Sequence, residues 1–174
     1  MTKVVAKFEK VSFEQFKADC AKLGYNVEDK YFRLIYNNIK IPTRSTKRSS
    51  GYDFYCPGLV SLTIPKGESV LIPTGIRCVF LEDGYDLSIY PRSSLGFKYR
   101  MWFDNLVPII DNDYAEAKNE GHIMLKVSCD PRNATEMVLN PGDRFAQGII
   151  REFFLAEEEE IEKERTGGMG STVK

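Results

Sequence analysis

At 174 residues, 43% of them apolar and 28% charged, the chain is long enough for one domain with a real core, plus extensions. A formal net charge of −1 argues against a partner held chiefly through phosphate neutralisation, such as long nucleic acid. No apolar stretch approaches the roughly 18 residues that a membrane helix needs, and the N-terminus carries no signal-peptide core, so a cytoplasmic protein without a membrane partner is expected.

Residues 1–40 read as an N-terminal extension. Ser12 with Gln15 three residues on forms a capping-box pattern. Phe13, Phe16, Cys20 and Leu23 follow at helical spacing, and Gly24 is a plausible stop, which predicts one short amphipathic helix. Its apolar face is expected to dock on its own domain or a neighbouring subunit rather than to recruit a separate partner. Tyr31 to Ile41, rich in aromatic and β-branched residues, reads as a strand approaching the body.

Residues 41–156 are a series of short β-type runs broken by turn residues. Val60 to Ile64 ends at Pro65-Lys66-Gly67, and Ser69 to Ile72 ends at Pro73-Thr74-Gly75. Asp86 to Tyr90 alternates, His122 to Cys129 alternates in part, and Phe145 to Leu155 is a longer strand candidate. The pattern predicts an all-β sandwich or barrel. Cys20, Cys56, Cys78 and Cys129 are widely spaced and, with the single His122, make no zinc-ligand pattern; reduced, partly buried thiols are expected. Residues 157–174 combine a charged linker with a glycine-rich end. About nine extended residues reach roughly 30 Å, enough to carry that end onto another copy of the chain.

Five segments carry the functional signal, in this order: Ser50-Gly51-Tyr52-Asp53-Phe54, Pro91-Arg92-Ser93-Ser94-Leu95-Gly96, Asn105 to Tyr114, Pro141 to Gln147, and Arg165 to Thr172. In the third, an apolar run that would otherwise be a buried strand ends in Asp111, Asp113 and Tyr114. Taken alone, Asp111 also suits an ordinary turn. Together, the five segments closely resemble the signature motifs of the trimeric dUTP diphosphatases (dUTPases), from about Arg48 to Thr172.

The resemblance implies a jelly-roll β domain assembled as a homotrimer, hydrolysing dUTP to dUMP and pyrophosphate with Mg²⁺ in sites shared between subunits. It implies Asp111 as the general base for the attacking water and Tyr114 as the wall that leaves no room for a ribose 2′-OH. Asn105 is the residue implied for a base contact, since Pro108 removes one backbone donor nearby. Arg92, Ser93, Ser94 and Gln147 would hold phosphate, with Ser93 at the α/β bridge, and Asp53 would serve the metal through water. Arg144 reads equally as an ion-pair residue or a phosphate ligand. Arg165, Met169, Ser171 and Thr172 would form a lid over the triphosphate and base.

Three departures from the family pattern stand out. Met169 occupies a lid position that usually carries an aromatic ring. Arg165 lies unusually close to the paired glycines. The short Tyr-x-Gly connection is lengthened to Tyr114–Gly121. Two alternatives are set against the leading reading. A dCTP deaminase of the same fold also uses an Arg-Ser-Ser phosphate motif, but it resembles a family needing a glutamate near Ile123-Met124-Leu125. A regulator that grips a partner protein would use the N-terminal helix or the 115–121 insertion. The basic run Arg44 to Arg48 suits a solvated loop better than a phosphate rim. The resemblance extends to viral, phage and bacterial members, with the host cytoplasm as the location of a viral one.

Overall fold

A computed structural model describes residues 3–157, and short antiparallel strands dominate it. Strand β1 (Ala6–Lys10) leads into helix α1 (Phe13–Lys22) and helix α2 (Asp29–Asn38). Strands β2 (Thr43–Arg44), β3 (Tyr52–Tyr55), β4 (Leu62–Ile64), β5 (Ser69–Pro73), β6 (Ile76–Phe80) and β7 (Tyr85–Pro91) follow. A short helix α3 (Ser93–Tyr99) precedes β8 (Trp102–Phe103) and β9 (Ile109–Ile110), and a 3-10 turn covers Asn112–Glu116. Strands β10 (Met124–Ser128), β11 (Met137–Leu139) and β12 (Arg144–Glu152) complete the described chain.

The largest sheet runs β2-β3-β12-β7-β9; a second runs β5-β10-β8, and the pairs β1-β6 and β11-β4 flank them. Every strand pairing among the described residues is antiparallel. This is the jelly-roll β architecture expected from the repeated short runs. One core joins all parts: Val11, Phe16 and Phe32 of the N-terminal segment cluster with Phe54, Leu87, Leu125 and Phe145 of the strands. At its centre β12 presses close to β7 and β3. A Cβ at Gly148 would come within 2.8 Å of Leu87 Cδ1 and 3.0 Å of Phe54 Cε2, so this strand needs a glycine there.

Helix α1 forms where its caps predict. The Ser12 side chain accepts from the Gln15 backbone N–H at 3.1 Å. Gly24, at φ +85°, ends the helix, with Tyr25 N bonding Cys20 O and Gly24 N bonding Ala21 O. Phe16 and Cys20 turn inward and are buried, so the apolar face is covered by the helix's own chain.

Three local expectations are corrected. Tyr31–Ile41 is not a strand: Asp29–Asn38 is helical. The composition favours a strand, but Phe32, Ile35, Tyr36 and Ile39 fall on one helical face. Phe32 and Ile39 enter the core, and Tyr36 packs on Phe13 and Phe16 of α1. Pro42 then stops any continuation. The run Asn105–Ile110 is not a buried strand either. Only Ile109–Ile110 joins a sheet, Leu106 makes an isolated bridge to Phe103 at φ +61° and is 71% exposed, and Ile109 is 50% exposed. Asp86–Tyr90 forms a strand as expected, but Asp86 to Ile89 are all buried: Leu87 and Ile89 enter the core, and on the other face Arg151 and Ser88 bond the Asp86 carboxylate. The four cysteines are free and buried, and burial pushes the thiols of Cys20, Cys56 and Cys78 up to about 12.

Candidate active site

The phosphate-type residues converge at one end of the large sheet. Asp53 on β3 faces Gln147 on β12, which in turn faces Tyr90 on β7. Pro91 ends β7, and Arg92 caps α3, so Ser93 and Ser94 open that helix as exposed hydroxyls. Asp53 is only 2% exposed. One of its oxygens takes a charge-assisted bond from Arg92. The other accepts from Ser45 Oγ at 2.5 Å and Arg144 at 3.2 Å. Arg144 also donates to Ser45 Oγ at 2.9 Å, and Gln147 Nε2 donates to Pro91 O at 3.3 Å. A lone carboxylate faces two guanidinium groups, so this corner carries an excess positive charge that suits a polyanion.

Ser45 joins this cluster although the motifs do not point to it. It lies in the run Arg44 to Arg48, where Arg44 donates to the carbonyls of Lys47 at 3.1 Å and Ser49 at 3.3 Å. That run is therefore a self-bonded loop. The β2–β3 hairpin, with Thr43 opposite Asp53, brings Ser45 to the carboxylate. No local sequence signal marks that contact.

The second group of residues lies elsewhere. On β9, Ile110 pairs with Leu87, and Asp111 follows immediately as the residue that opens the 3-10 turn. Asp111 is exposed, and its carbonyl accepts from Tyr114 N at 3.1 Å. Asn112 ties the turn to the sheet through the carbonyls of Glu82 at 2.9 Å and Tyr85 at 3.2 Å. Tyr114 sits in this turn rather than on a strand and is 1% exposed; its hydroxyl donates to His122 O at 3.1 Å and accepts from Asn119 Nδ2 at 3.0 Å. Asn105 is exposed in the loop before β9.

The two groups are held apart by β7. Arg92 lies five residues beyond Leu87, whose partner Ile110 adjoins Asp111. At about 3.3 Å per residue that is roughly 17 Å along the strand. The backbone thus sets Asp111 and Tyr114 well along β7 from Arg92, Asp53 and Gln147. Arg165, Met169, Ser171 and Thr172 lie outside the described residues.

Comparison with known proteins settles the kinship. A family model described as dUTPase matches residues 37–173. This chain belongs to the dUTPase family. The deoxyuridine 5'-triphosphate nucleotidohydrolase of Lactococcus lactis is 39% identical over 154 residues, covering 86% of this chain and 96% of that protein. The one from Paraburkholderia xenovorans is 36% identical, covering 78% and 90%. Among solved structures, the dUTPase of Streptococcus mutans superposes with a TM-score of 0.62 at 28% identity, covering 87% of this chain and 98% of that one. A mutant dUTPase from phage phi11 of S. aureus, described with a structural Mg(II) ion, matches with a TM-score of 0.57. At 19% identity, covering 75% of this chain and 95% of that one, it supports the fold alone.

In this dUTPase the lengthened connection after Tyr114 is tied to helix α1. Glu120 accepts from Ser12 N at 2.7 Å and Ser12 Oγ at 2.6 Å. His122, completely buried, meets Asp19 with Nδ1 at 2.8 Å from Oδ2, while its Nε2 accepts from Gly75 N at 2.8 Å. His122 thus serves neither a metal nor a cysteine here; it is one half of a buried pair. Burial works against the charge on Asp19, but bonds from His122, Gln15 and Lys22 outweigh it and hold the carboxyl well below its usual range. A lowered folded-state value gives stability that is present above the unfolded value, about 3.9, and is lost as pH falls. The stability advantage of the wild type over Asp19→Asn is expected to shrink progressively below about pH 5. Urea unfolding of both proteins across that range measures it, and a constant difference would mean that Asp19 does not titrate with folding.

Proposed function

We propose that this chain hydrolyses dUTP to dUMP and pyrophosphate in sites assembled between copies of a homotrimer. The observation that carries the reading is the separation of the two residue groups along β7. Attack on the α-phosphate needs the water-activating carboxylate and the phosphate-holding residues around one phosphorus atom, and a backbone spacing of roughly 17 Å argues for drawing them from different copies. A neighbouring copy supplies the missing half. Exposed apolar side chains suit such an interface: Leu106 and Ile109 beside Asp111, Phe97 on α3, and Phe154 and Leu155 after β12.

In this reading Asp111 orients a water molecule and takes its proton as the water oxygen attacks the α-phosphorus. The bond from that phosphorus to the bridging oxygen breaks, and pyrophosphate leaves with the electron pair. Ser93 donates to the bridge, stabilising the charge that develops there, while Arg92, Ser94 and Gln147 hold the phosphate oxygens. Asn105 meets the uracil edge. Tyr114, buried and bonded through its hydroxyl from two sides, is a fixed wall behind the sugar, so it does not yield to a 2′-OH. Arg165, Met169, Ser171 and Thr172 close over the bound nucleotide from a further copy.

Mg²⁺ fits the donor set in one way. Among the described residues no group of three or more His, Cys, Asp or Glu side chains gathers as a cage. A carboxylate offers about four acceptor positions, and at Asp53 bonds from Arg92, Ser45 and Arg144 already occupy three. What remains suits one water of a hydrated ion held mainly by the substrate phosphates. When bound there, Mg²⁺ would supply charge neutralisation on the triphosphate oxygens.

Pyrophosphate release from a panel of dNTPs tests the reading, with dUTP as the expected preferred substrate. Ammonia release from dCTP would favour the deaminase instead. The deaminase reading has little support, since Ile123 and Leu125 are buried apolar residues and the nearby Glu120 is bonded to Ser12. Truncation after Glu164 is expected to leave a folded trimer with at least about tenfold lower dUTP turnover, because a lid contributes closure rather than core burial. Sedimentation and kinetics check it, and unchanged kinetics would remove the tail from the site.

A further inference from the structure

Tyr114 is held by a set of contacts that begins far away in the chain. Its hydroxyl donates to the His122 carbonyl and accepts from Asn119 Nδ2, while Asn119 Nδ2 also reaches the His122 carbonyl at 3.3 Å. The carbonyl only accepts, so the amide nitrogen must face it and the tyrosine oxygen. This leaves Asn119 Oδ1 buried with no hydrogen-bond partner among the described residues. A buried unpaired oxygen is costly, and it is tolerated here in an arrangement that fixes one phenolic hydroxyl.

The next contact outward is the His122 ring. The Gly75 backbone N–H can only donate, so Nε2 accepts and the proton sits on Nδ1, facing Asp19. Asp19 is 3% exposed and anchored on α1, with Gln15 Nε2 at 2.7 Å and Lys22 Nζ at 2.9 Å. Glu120 fastens the N-terminus of the same helix to the same loop. Gly121, at φ +71°, lets the loop return so tightly that a Cβ there would lie 2.7 Å from Ala115 Cα and 2.8 Å from Tyr114 O. Helix α1, the 115–121 insertion and the Asp111–Tyr114 turn are therefore one braced unit.

We propose that Asp19, His122 and Asn119 are positioning residues that fix the Tyr114 hydroxyl, and that through it they set the discrimination between deoxyribose and ribose triphosphates. The inference rests on the reading of Tyr114 as the sugar wall. A wall excludes a single added oxygen only while it cannot move, and this brace is what immobilises it. The insertion and the N-terminal helix then act on substrate choice without touching substrate.

The experiment compares kcat/KM for dUTP and UTP in Tyr114→Ala, Tyr114→Phe, Asn119→Ala, Asp19→Asn and the double variant Asn119→Ala/Tyr114→Phe. Asn119→Ala removes the unpaired oxygen together with the donor, so it retains the fold even if Asp19→Asn does not. Asn119→Ala is expected to lower the dUTP/UTP ratio about three- to tenfold, the worth of one hydrogen bond. The change should come mainly from improved use of UTP, and adding Asn119→Ala to Tyr114→Phe should have no further effect, because the hydroxyl it acts through is gone. An equal drop in both backgrounds would overturn the inference. So would a ratio that falls in Tyr114→Ala while Asn119→Ala leaves it at the wild-type value. A wild-type ratio in Tyr114→Ala would overturn the reading of Tyr114 as the wall, and the inference with it.

Discussion

Asp111→Asn is expected to cut dUTP turnover by about two orders of magnitude or more, with binding of dUTP nearly unchanged, as befits removal of a general base. The amide matches the carboxylate in size and still orients a water molecule, but it cannot take the proton. Asp111 directly follows the short strand β9 and opens the 3-10 turn, and the Asn112 contacts to Glu82 and Tyr85 hold that turn against the sheet. The substitution should therefore leave the backbone in place. Pyrophosphate release gives the turnover, and calorimetric titration with a non-hydrolysable dUTP analogue gives the binding. Turnover within a few-fold of wild type would take Asp111 out of the chemistry and leave it as the turn residue that its position alone also suits.

What could be read from the sequence was what local chemistry decides. Ser12 and Gly24 bound α1 because a cap and a left-handed stop are set by single residues. Most of the strand runs ended at their Gly/Pro turns for the same reason. Helix α2 was not legible in this way. Its aromatic and β-branched residues favour a strand, and the helix wins because α1 and the core receive Phe32 and Ile39 along one face. Strand β1 left no mark, since five residues gain meaning only from pairing with β6, far along the chain.

The site divides in the same manner. Asp53, Arg92, Asp111 and Gln147 stand out as candidates because each lies in a motif with a recognisable neighbourhood. Their partners do not. Ser45 reaches Asp53 through a hairpin, and His122 meets Asp19 from 103 residues away in the chain. Nothing near His122 in the sequence distinguishes a buried hydrogen-bonded imidazole from an exposed one. In the insertion that follows Tyr114, no local pattern marks the contacts by which Glu120 and Asn119 join it to α1 and to Tyr114.

The proposed division of the site between copies gives the second large expected effect. Asp111→Asn and Arg92→Ala should each be nearly inactive as pure trimers, since one lacks the base and the other the phosphate grip. Mixed by denaturation and refolding, the two inactive proteins are expected to recover roughly a quarter of the wild-type activity. A cyclic trimer with head-to-tail contacts builds each site from unlike halves of neighbouring copies, and at equal mixing about one site in four pairs an intact Arg92 with an intact Asp111. The expectation rests on the placement of Arg92 and Asp111 toward opposite ends of β7. Active-site titration with a tight dUTP analogue would count the restored sites independently of rate. If mixing recovers nothing while each variant still forms trimers, both residues serve one site within one copy, and the proposal of shared sites fails. The same mixture also separates Asp53 from Asp111. Asp53 bonds Arg92 directly, so Asp53→Asn should complement Asp111→Asn but not Arg92→Ala. A pattern in which Asp53→Asn rescues Arg92→Ala would place those two residues in different sites, against the ion pair that joins them.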